Sequence, residues 1–320
     1  MQVQAVIERF PLARVFTISR GSKSHAEVIT VTITDGDFVG RGECVPYARY
    51  GETLESVLAQ IKGARFADRV TLQDALPHGA ARNALDCALW DLEAKRAGLR
   101  IWELVGEAVP EGIVTAFTLS LDSPEGMEQQ AAENAARPVL KIKLGTPDDL
   151  PRLEAVRRGA PDAALIIDAN EGWSEQDYLT LLPHLERLGV VLVEQPFPAG
   201  KDQALETLPR PVPICADESC HVESDLFALR NRYDFVNIKL DKAGGLTESL
   251  RLRDAAVAAG FGVMVGCMVG TSLAMAPAMV LAHGAGFVDL DGPILLARDR
   301  ESAIPFQGSE LGRYSSVLWG

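Results

Sequence analysis

Between Thr115 and Pro293 the chain repeats one unit, a short apolar strand followed by a helical segment, with no break in composition. The strand candidates are Thr115 to Leu121, Val139 to Leu144, Ala164 to Ala169, Val190 to Glu194, Ile214 to Asp217, Phe235 to Leu240, Gly262 to Met268 and Phe287 to Asp291. The segments between them open with helix-start signals: Ser123-Pro124, Thr146-Pro147 with acids following, and Ser174 with Asp177 three residues later. Strand and helix in strict alternation build a parallel sheet covered by helices, and eight strands is the number that closes into a barrel. An open doubly wound sheet has the same periodicity; the charged residues, which fall at strand ends, favour the barrel.

The residues before this repeat follow a different pattern. Val28 to Thr34 alternates apolar residues with Thr, and Asp35-Gly36 is a hairpin turn leading to Phe38 to Arg41. A helix is expected over Ala81 to Ala97, with Leu85, Ala88, Leu89 and Leu92 on one face, charged residues on the other and Gly98 as C-cap. The protein therefore begins with a small α+β region.

Composition removes several classes of function. A formal net charge of −13 over 320 residues argues against a nucleic-acid or anionic-membrane surface, which needs clustered Lys and Arg, and it suits divalent cations. The five cysteines are scattered and form no CxxC pair, so reduced thiols in the cytoplasm are expected rather than a disulfide framework or a zinc knuckle. Met1 to Phe10 lacks the apolar run of a signal peptide. Ala255 to Ala282 carries no charged side chain and is long enough to span a membrane, but its glycines and Pro277 divide it into a helix end, a buried strand, a loop and another helix.

The chemistry lies at the strand ends. Lys141 and Lys143 flank Ile142, and side chains alternate across a strand, so both point to one face; taken alone they also fit an edge strand protected from aggregation. Three later strands end at Asp168, Glu194 and Asp217, each after an apolar run, at spacings of 26 and 23 residues. A buried strand rarely ends in an unpaired carboxylate. Loop caps or surface charges could explain each acid separately, but three converging acids call for a cation, and oxygen-only ligands favour Mg²⁺. Lys239 follows 22 residues after Asp217, across the barrel from Lys143, so the two lysines are placed to exchange a proton at one carbon from both faces. Lys239 also reads as an ion-pair partner of Asp217 or Glu194. Neighbouring positive charge and partial burial are expected to lower the lysine pKa values toward neutrality. Asp289 and Asp291, two apart on the last strand, suit a substrate ammonium group or a turn-associated acidic pair. Arg20, Lys23 and Arg49 fall in expected loops, where a solvated surface is the default.

At this point the sequence strongly resembles the enolase superfamily, its muconate-lactonizing subgroup, and within that the bacterial L-Ala-D/L-Glu dipeptide epimerases. The motifs are GECVPYARYGE (Gly42 to Glu52), GAARNALDCALWDLEAKRAG (Gly79 to Gly98), KIKLG (Lys141 to Gly145), DANEGW (Asp168 to Trp173), EQP (Glu194 to Pro196), ADES (Ala216 to Ser219), NIKLDKAGGLTES (Asn237 to Ser249) and DLDGP (Asp289 to Pro293). The resemblance implies an α/β fold, a modified TIM barrel of (β/α)7β type over residues 113–299, beneath an N-terminal α+β capping domain over 1–112, with a C-terminal segment, 300–320, returning to the cap. It implies Mg²⁺ held by Asp168, Glu194 and Asp217, with Lys143 and Lys239 as the acid/base pair. Lys141 would hold the substrate or tune its neighbour, Asp289 and Asp291 would bind a dipeptide's α-ammonium, and Arg20 would meet the glutamate side chain. The reaction implied is inversion of the C-terminal residue's α-carbon through an enediolate, with a small dipeptide as partner, no nucleic acid or membrane, and a homo-oligomer left open. Its rivals are an o-succinylbenzoate synthase or cycloisomerase-type lyase on the same scaffold, a Schiff-base aldolase using a barrel lysine, and a non-catalytic metal-binding protein.

Overall fold

A computed structural model of the chain describes residues 1–146 and 148–320. Pro147, part of one expected helix start, lies outside the described residues. The N-terminal sheet comprises β1 (Gln2–Ile18), β2 (Gly21–Asp35) and β3 (Phe38–Cys44), antiparallel throughout. The hairpin turn falls at Gly36-Asp37, one residue beyond the expected Asp35-Gly36, because Asp35 still pairs with Phe38 as the last rung of the ladder; Gly36 sits at φ 60. β1 was not expected. It contains Pro11, and Phe10 is its one buried residue, so no face of it alternates; pairing with β2 along its length holds it in place.

Helices α1 (Leu54–Gly63), α2 (Arg69–Ala75), α3 (Ala80–Ala97) and α4 (Ile101–Val105) follow. Gly98 ends α3 at φ 64, where a left-handed residue accepts the chain reversal. The helix packs so closely on β3 that a Cβ at Gly42 would lie 2.2 Å from the Ala84 carbonyl oxygen. Of the residues on its charged face, Arg82, Asp86 and Asp91 are buried. Arg82 donates to the Ala243 carbonyl at 2.7 Å, and Asp86 accepts from the Thr247 amide at 2.9 Å, so this face joins the cap to the barrel.

After β4 (Ile113–Val114) the repeat begins. Its strands are β5 (Phe117–Leu119), β6 (Val139–Lys143), β7 (Ala164–Asp168), β8 (Val190–Glu194), β9 (Ile214–Ala216), β10 (Phe235–Ile238), β11 (Gly262–Gly266) and β12 (Phe287–Asp289), parallel and neighbours in chain order. The ends of the sheet meet: the Ala116 amide donates to the Val288 carbonyl at 2.8 Å, closing the barrel. Helices α5 (Pro124–Glu133), α6 (Asp149–Gly159), α7 (Glu175–Leu185), α8 (Leu226–Leu229), α9 (Leu240–Ala243), α10 (Leu246–Ala258) and α11 (Ser272–Leu281) cover it. Ser123 and Ser174 cap α5 and α7 as their sequence signals require. The β8–β9 connection holds only a 3₁₀ turn, Gln203–Glu206, because the prolines at 196, 198, 209, 211 and 213 leave little room for a longer helix.

Residues of one parity along the strands point outward. Leu165, Ile167, Val193 and Val265 join the main core beneath the helices. The other parity points inward, where Ala116, Ile166, Leu192, Cys215 and Met264 fill the barrel. The segment from Ala255 to Ala282 is α10's end, β11 and α11; among the described residues no helix is long and apolar enough to cross a membrane. The C-terminus contacts the cap: Arg41 donates to the Leu318 carbonyl at 2.9 Å, and the Trp319 indole donates to the Cys87 carbonyl at 3.0 Å. β13 (Phe306–Gln307) and β14 (Glu310–Leu311) extend from β4.

Candidate active site

The inward parity that fills the barrel also sets the site. On β7, Ile166 in the barrel core is followed two residues later by Asp168; on β8, Leu192 leads to Glu194; on β9, Cys215 leads to Asp217. Register aligns them, Lys143 opposite Asp168 and Asp168 opposite Glu194. Asp168, Glu194 and Asp217 are buried, and each offers one carboxylate oxygen within 4.8 Å of the others. Three hard, anionic oxygens with no His or Cys among them fit Mg²⁺.

Lysines ring the acids. Lys143 Nζ lies 2.6 Å from Asp168 Oδ2, and Lys239 Nζ lies 2.6 Å from Asp217 Oδ2 and 3.9 Å from Glu194 Oε1. These two ammonium groups enter from β6 and from the residue after β10, with the three acid-bearing strands between them. Both readings of Lys239 therefore hold in geometry: it pairs with Asp217 and it faces the same space as Lys143. Lys141 is fully buried against Glu194 at 2.6 Å, Asp289 at 2.8 Å and Asp168 at 3.2 Å, so it is a bridge between acids.

The expected lowering of the lysine pKa values is reversed at two of the three. Burial disfavours the Lys239 ammonium, but Asp217 and then Glu194 outweigh it and hold the pKa above the ordinary lysine value. Lys141 is raised likewise, with Asp289 the largest opposing influence to burial. The expectation considered the neighbouring cations, whereas the carboxylates around each lysine set the sign. Among the acids, burial raises Asp168 and Asp217, but Lys143 and Lys141 pull the first well below the carboxylate range, and Lys239 and Lys242 pull down the second. Glu194, pushed up by burial and by Asp168, reaches about 7.

Beside these groups a cavity of about 500 Å³ opens under the cap, lined by Arg20, Lys23, Tyr47, Arg49, Tyr50, Thr118, Lys141, Lys143, Asp217, Glu218, Lys239, Asp289 and Asp291 among others. All the expected site residues thus meet at one place, Asp168 and Glu194 beneath it. Asp289 ends β12, and Asp291 follows at the start of a 3₁₀ turn, its Oδ2 accepting from the Thr118 amide at 2.6 Å. Burial, then Asp289, pushes Asp291 up to about 7. Asp289 Oδ1 is buried without a hydrogen-bond partner, an acceptor suited to an entering donor.

The basic residues of the cap are not simply solvated. Arg20 sits in the turn after β1 and donates to the Asn170 carbonyl at 2.8 Å, the Tyr47 hydroxyl at 3.0 Å and Glu218 Oε1 at 2.9 Å. Arg49 binds Glu171 through two bonds of 2.6 and 2.7 Å. Lys23 belongs to β2, not to a loop, with Nζ 5.6 Å from the Tyr47 ring centre.

Several further residues of the sequence motifs shape the site. Lys242 is fully buried in α9, with Nζ 2.7 Å from Asp217 Oδ1 and donating to the Cys220 carbonyl at 2.8 Å and the Asn237 carbonyl at 2.9 Å; it fixes Asp217 from behind. A second lysine three residues after Lys239 was the available signal. Gln195, at φ 36, accepts from the amides of Asp217 and Ser219 and holds the loop after β9. Asn170 and Glu171 are also left-handed, φ 45 and 68, which turns the chain after Asp168 toward Arg20 and Arg49. Glu218, next to Asp217, is buried, its Oε2 lacking a partner, and burial raises it to about 7.

An eight-stranded barrel with three carboxylates at the ends of consecutive strands and a lysine on either side defines the enolase class of fold. Comparison with known proteins agrees. Residues 1–106 match the mandelate racemase / muconate lactonizing enzyme N-terminal domain, and residues 126–292 match the enolase C-terminal domain-like family. The chain is 46% identical to the L-Ala-D/L-Glu epimerase of Escherichia coli over 97% of its own length and 98% of that protein's. It is 45% identical to an N-acetyl-D-glutamate racemase of a Pseudoalteromonas species, covering 92% and 95%. Among solved structures, an enolase family member from Agrobacterium tumefaciens with homology to dipeptide epimerases, bound to sodium and L-Ala-L-Glu, is 52% identical with a TM-score of 0.96 over 99% of each chain. This protein belongs to the mandelate racemase / muconate lactonizing enzyme family of the enolase superfamily. Its named relatives are epimerases and racemases, and it is an isomerase.

Proposed function

We propose that the chain is a Mg²⁺-dependent dipeptide epimerase that inverts the α-carbon of the C-terminal residue, with L-Ala-D/L-Glu as the substrate type. The observation that carries this reading is the pair of lysines, Lys143 and Lys239, on opposite sides of the Asp168, Glu194 and Asp217 cluster. A carbon next to an ionised carboxylate is a very weak acid, because losing its proton places a second negative charge on that group. Mg²⁺ held by the three acids would offset that charge where it develops. One lysine removes the proton from one face and the other returns a proton from the opposite face. Lys141, bridging Glu194, Asp289 and Asp168, ties the acids near the ion to those facing the substrate. Asp289 and Asp291 receive the α-ammonium, to which the unpartnered Asp289 Oδ1 is an available acceptor. Arg20 lies at the cap side, where the glutamate side chain would extend. Cell-wall peptides are a source of such dipeptides, and free cysteines accord with a reducing cytoplasm.

A second reading, racemisation of an N-acylated glutamate, is favoured by the likeness to the Pseudoalteromonas enzyme. Its substrate carries no ammonium group, so Asp289 and Asp291 separate the two. Incubation with Mg²⁺ in D₂O should label the glutamate α-carbon of L-Ala-L-Glu and yield the D epimer, and replacing both aspartates by Asn should abolish this. Exchange into N-acetyl-L-glutamate alone would establish the second reading, and exchange into neither would remove both. A chelator abolishes activity on either reading, whereas a Schiff-base enzyme would survive it and be trapped by borohydride.

A further inference from the structure

The chain beyond the barrel returns to the cap at Arg300, where one guanidinium joins all three strands of the cap sheet to the loop after β11. Thr30 of β2 pairs with Glu43 of β3 in the ladder, and Glu8 of β1 lies beside them, its carboxylate accepting from the Thr30 hydroxyl. Arg300 Nη2 meets Glu8 Oε2 at 2.9 Å, Thr30 Oγ1 at 2.7 Å and Glu43 Oε2 at 2.7 Å. Its Nε meets Glu43 Oε2 at 3.1 Å and Thr271 Oγ1 at 2.7 Å. Glu43 in turn accepts from the Thr271 amide at 2.8 Å and from the Thr271 hydroxyl. Its side chain is fully buried, and among the described residues Arg300 is its one ion-pair partner. Moving either member would strand a buried charge, so the pair resists displacement. Asp299, the preceding residue, accepts from the Ser272 amide at 3.1 Å and from the Ser272 hydroxyl, which braces the next position of α11 as well.

Thr271 is the N-cap of α11, so this clamp fixes where the loop from β11 ends. The loop is wedged on both sides. A Cβ on Gly270 would lie 3.0 Å from Glu43 Oε1 and 3.3 Å from Val45, and one on Gly292 would lie 3.0 Å from the Gly270 carbonyl oxygen. Its inner residues, Cys267, Met268 and Val269, line the cavity, and Met268 packs with Phe10, Val28 and Val45 of the cap. Gly266 pairs with Asp289, so these residues adjoin the acids that receive the α-ammonium. We propose that Arg300 is a positioning residue: through Glu43 and Thr271 it holds residues 267–269 as the cavity wall beside Asp289 and Asp291, where the substrate's N-terminal side chain packs. What packs there rests on the epimerase reading above; the placement of the wall by Arg300 does not.

Cys267 reports on the wall without turnover, because the other four free cysteines are buried and it alone is partly exposed. In Arg300→Met, alkylation of Cys267 by iodoacetamide, located by peptide mass spectrometry, should quicken about tenfold while the other four stay unlabelled. Thr271→Val leaves the Arg300–Glu43 pair intact and should quicken it too, and this variant decides the matter if Arg300→Met does not fold. Arg300→Lys keeps the charge without the fork and should fall between wild type and Arg300→Met. In D₂O exchange with Mg²⁺, KM for L-Ala-L-Glu should rise about tenfold with kcat within about threefold, and L-Leu-L-Glu should gain relative to L-Ala-L-Glu as the wall yields. A merely structural role would lower kcat with the active fraction and leave KM and the substrate ratio unchanged. Cys267 labelling at the wild-type rate in both variants, or labelling of all five cysteines together, overturns the proposal, as does an unchanged KM and ratio. If the wild type exchanges neither dipeptide, the epimerase reading falls, and the labelling still decides whether Arg300 places the wall.

Discussion

Replacing Lys143 and Lys239 one at a time by Gln separates a two-sided proton transfer from every mechanism with a single base. Each ammonium lies 2.6 Å from a carboxylate of the cluster, Lys143 on Asp168 and Lys239 on Asp217, and the acid-bearing strands lie between the two lysines. A substrate carbon held at the cluster would present one face to each. Loss of a positioned acid or base costs about 10²–10⁴ in rate, or roughly 3–5 kcal/mol of barrier. Epimerisation needs both groups, so each variant should lose at least about 10²-fold in that reaction. Exchange behaves differently, because the surviving lysine can still remove and return a proton on its own face. Each variant should therefore keep deuterium incorporation into one epimer, within about tenfold of wild type, and lose the other by the full factor. The retained epimer should be opposite in the two variants. The assay is disappearance of the α-proton signal in D₂O, followed separately for the L,L and L,D dipeptides. Loss of the same epimer in both variants, or epimerisation surviving in either, would refute opposed lysines.

Three further outcomes follow from the same structure. Asp241 is buried beneath the cap, and burial raises its pKa from 3.8 to about 7, despite hydrogen bonds from the Val45 amide and Asn83. A carboxyl raised on folding loses stability as pH climbs from its unfolded value toward its folded one, here from about 4 to about 7, by up to roughly 4 kcal/mol in all. Asp241→Asn keeps the accepting oxygen and removes that loss, so its advantage over wild type in urea midpoint should be greater at pH 8 than at pH 5; an unchanging difference would contradict the burial argument. Mg²⁺ at a hundredfold excess over its Kd should stabilise chelator-treated protein by about 2.7 kcal/mol, read as a rise in melting temperature that Glu194→Gln abolishes; no rise in wild type removes the metal site. Gly42→Ala would drive a Cβ to 2.2 Å from the Ala84 carbonyl, so the melting temperature should drop by an amount equivalent to about 3 kcal/mol, and a neutral result would mean that α3 does not pack on β3 as described.

What could be read from the chain divides along a physical line. The eight barrel strands were legible because each is a short apolar run bounded by turn residues, and their terminal acids were legible because a charge at the end of a buried run is conspicuous. β1 was not, since a strand held by its ladder and burying one residue leaves no pattern of alternation. The setting of the cap's basic residues was likewise hidden: Arg20 finds its carboxylate 198 residues away at Glu218, and Arg49 finds Glu171 after 122. Nothing local in a sequence reports such a pairing. The lysine pKa values show why this matters, because alternation and spacing correctly gathered the charges while their sign depended on how many carboxylates face each ammonium. Periodicity fixes which groups meet, and three-dimensional pairing then decides which charges are left over to act on a substrate. That second step commits Arg20 to Glu218 and Arg49 to Glu171, while Lys23, which looks like them in the sequence, stands over the Tyr47 ring and meets no carboxylate among the described residues.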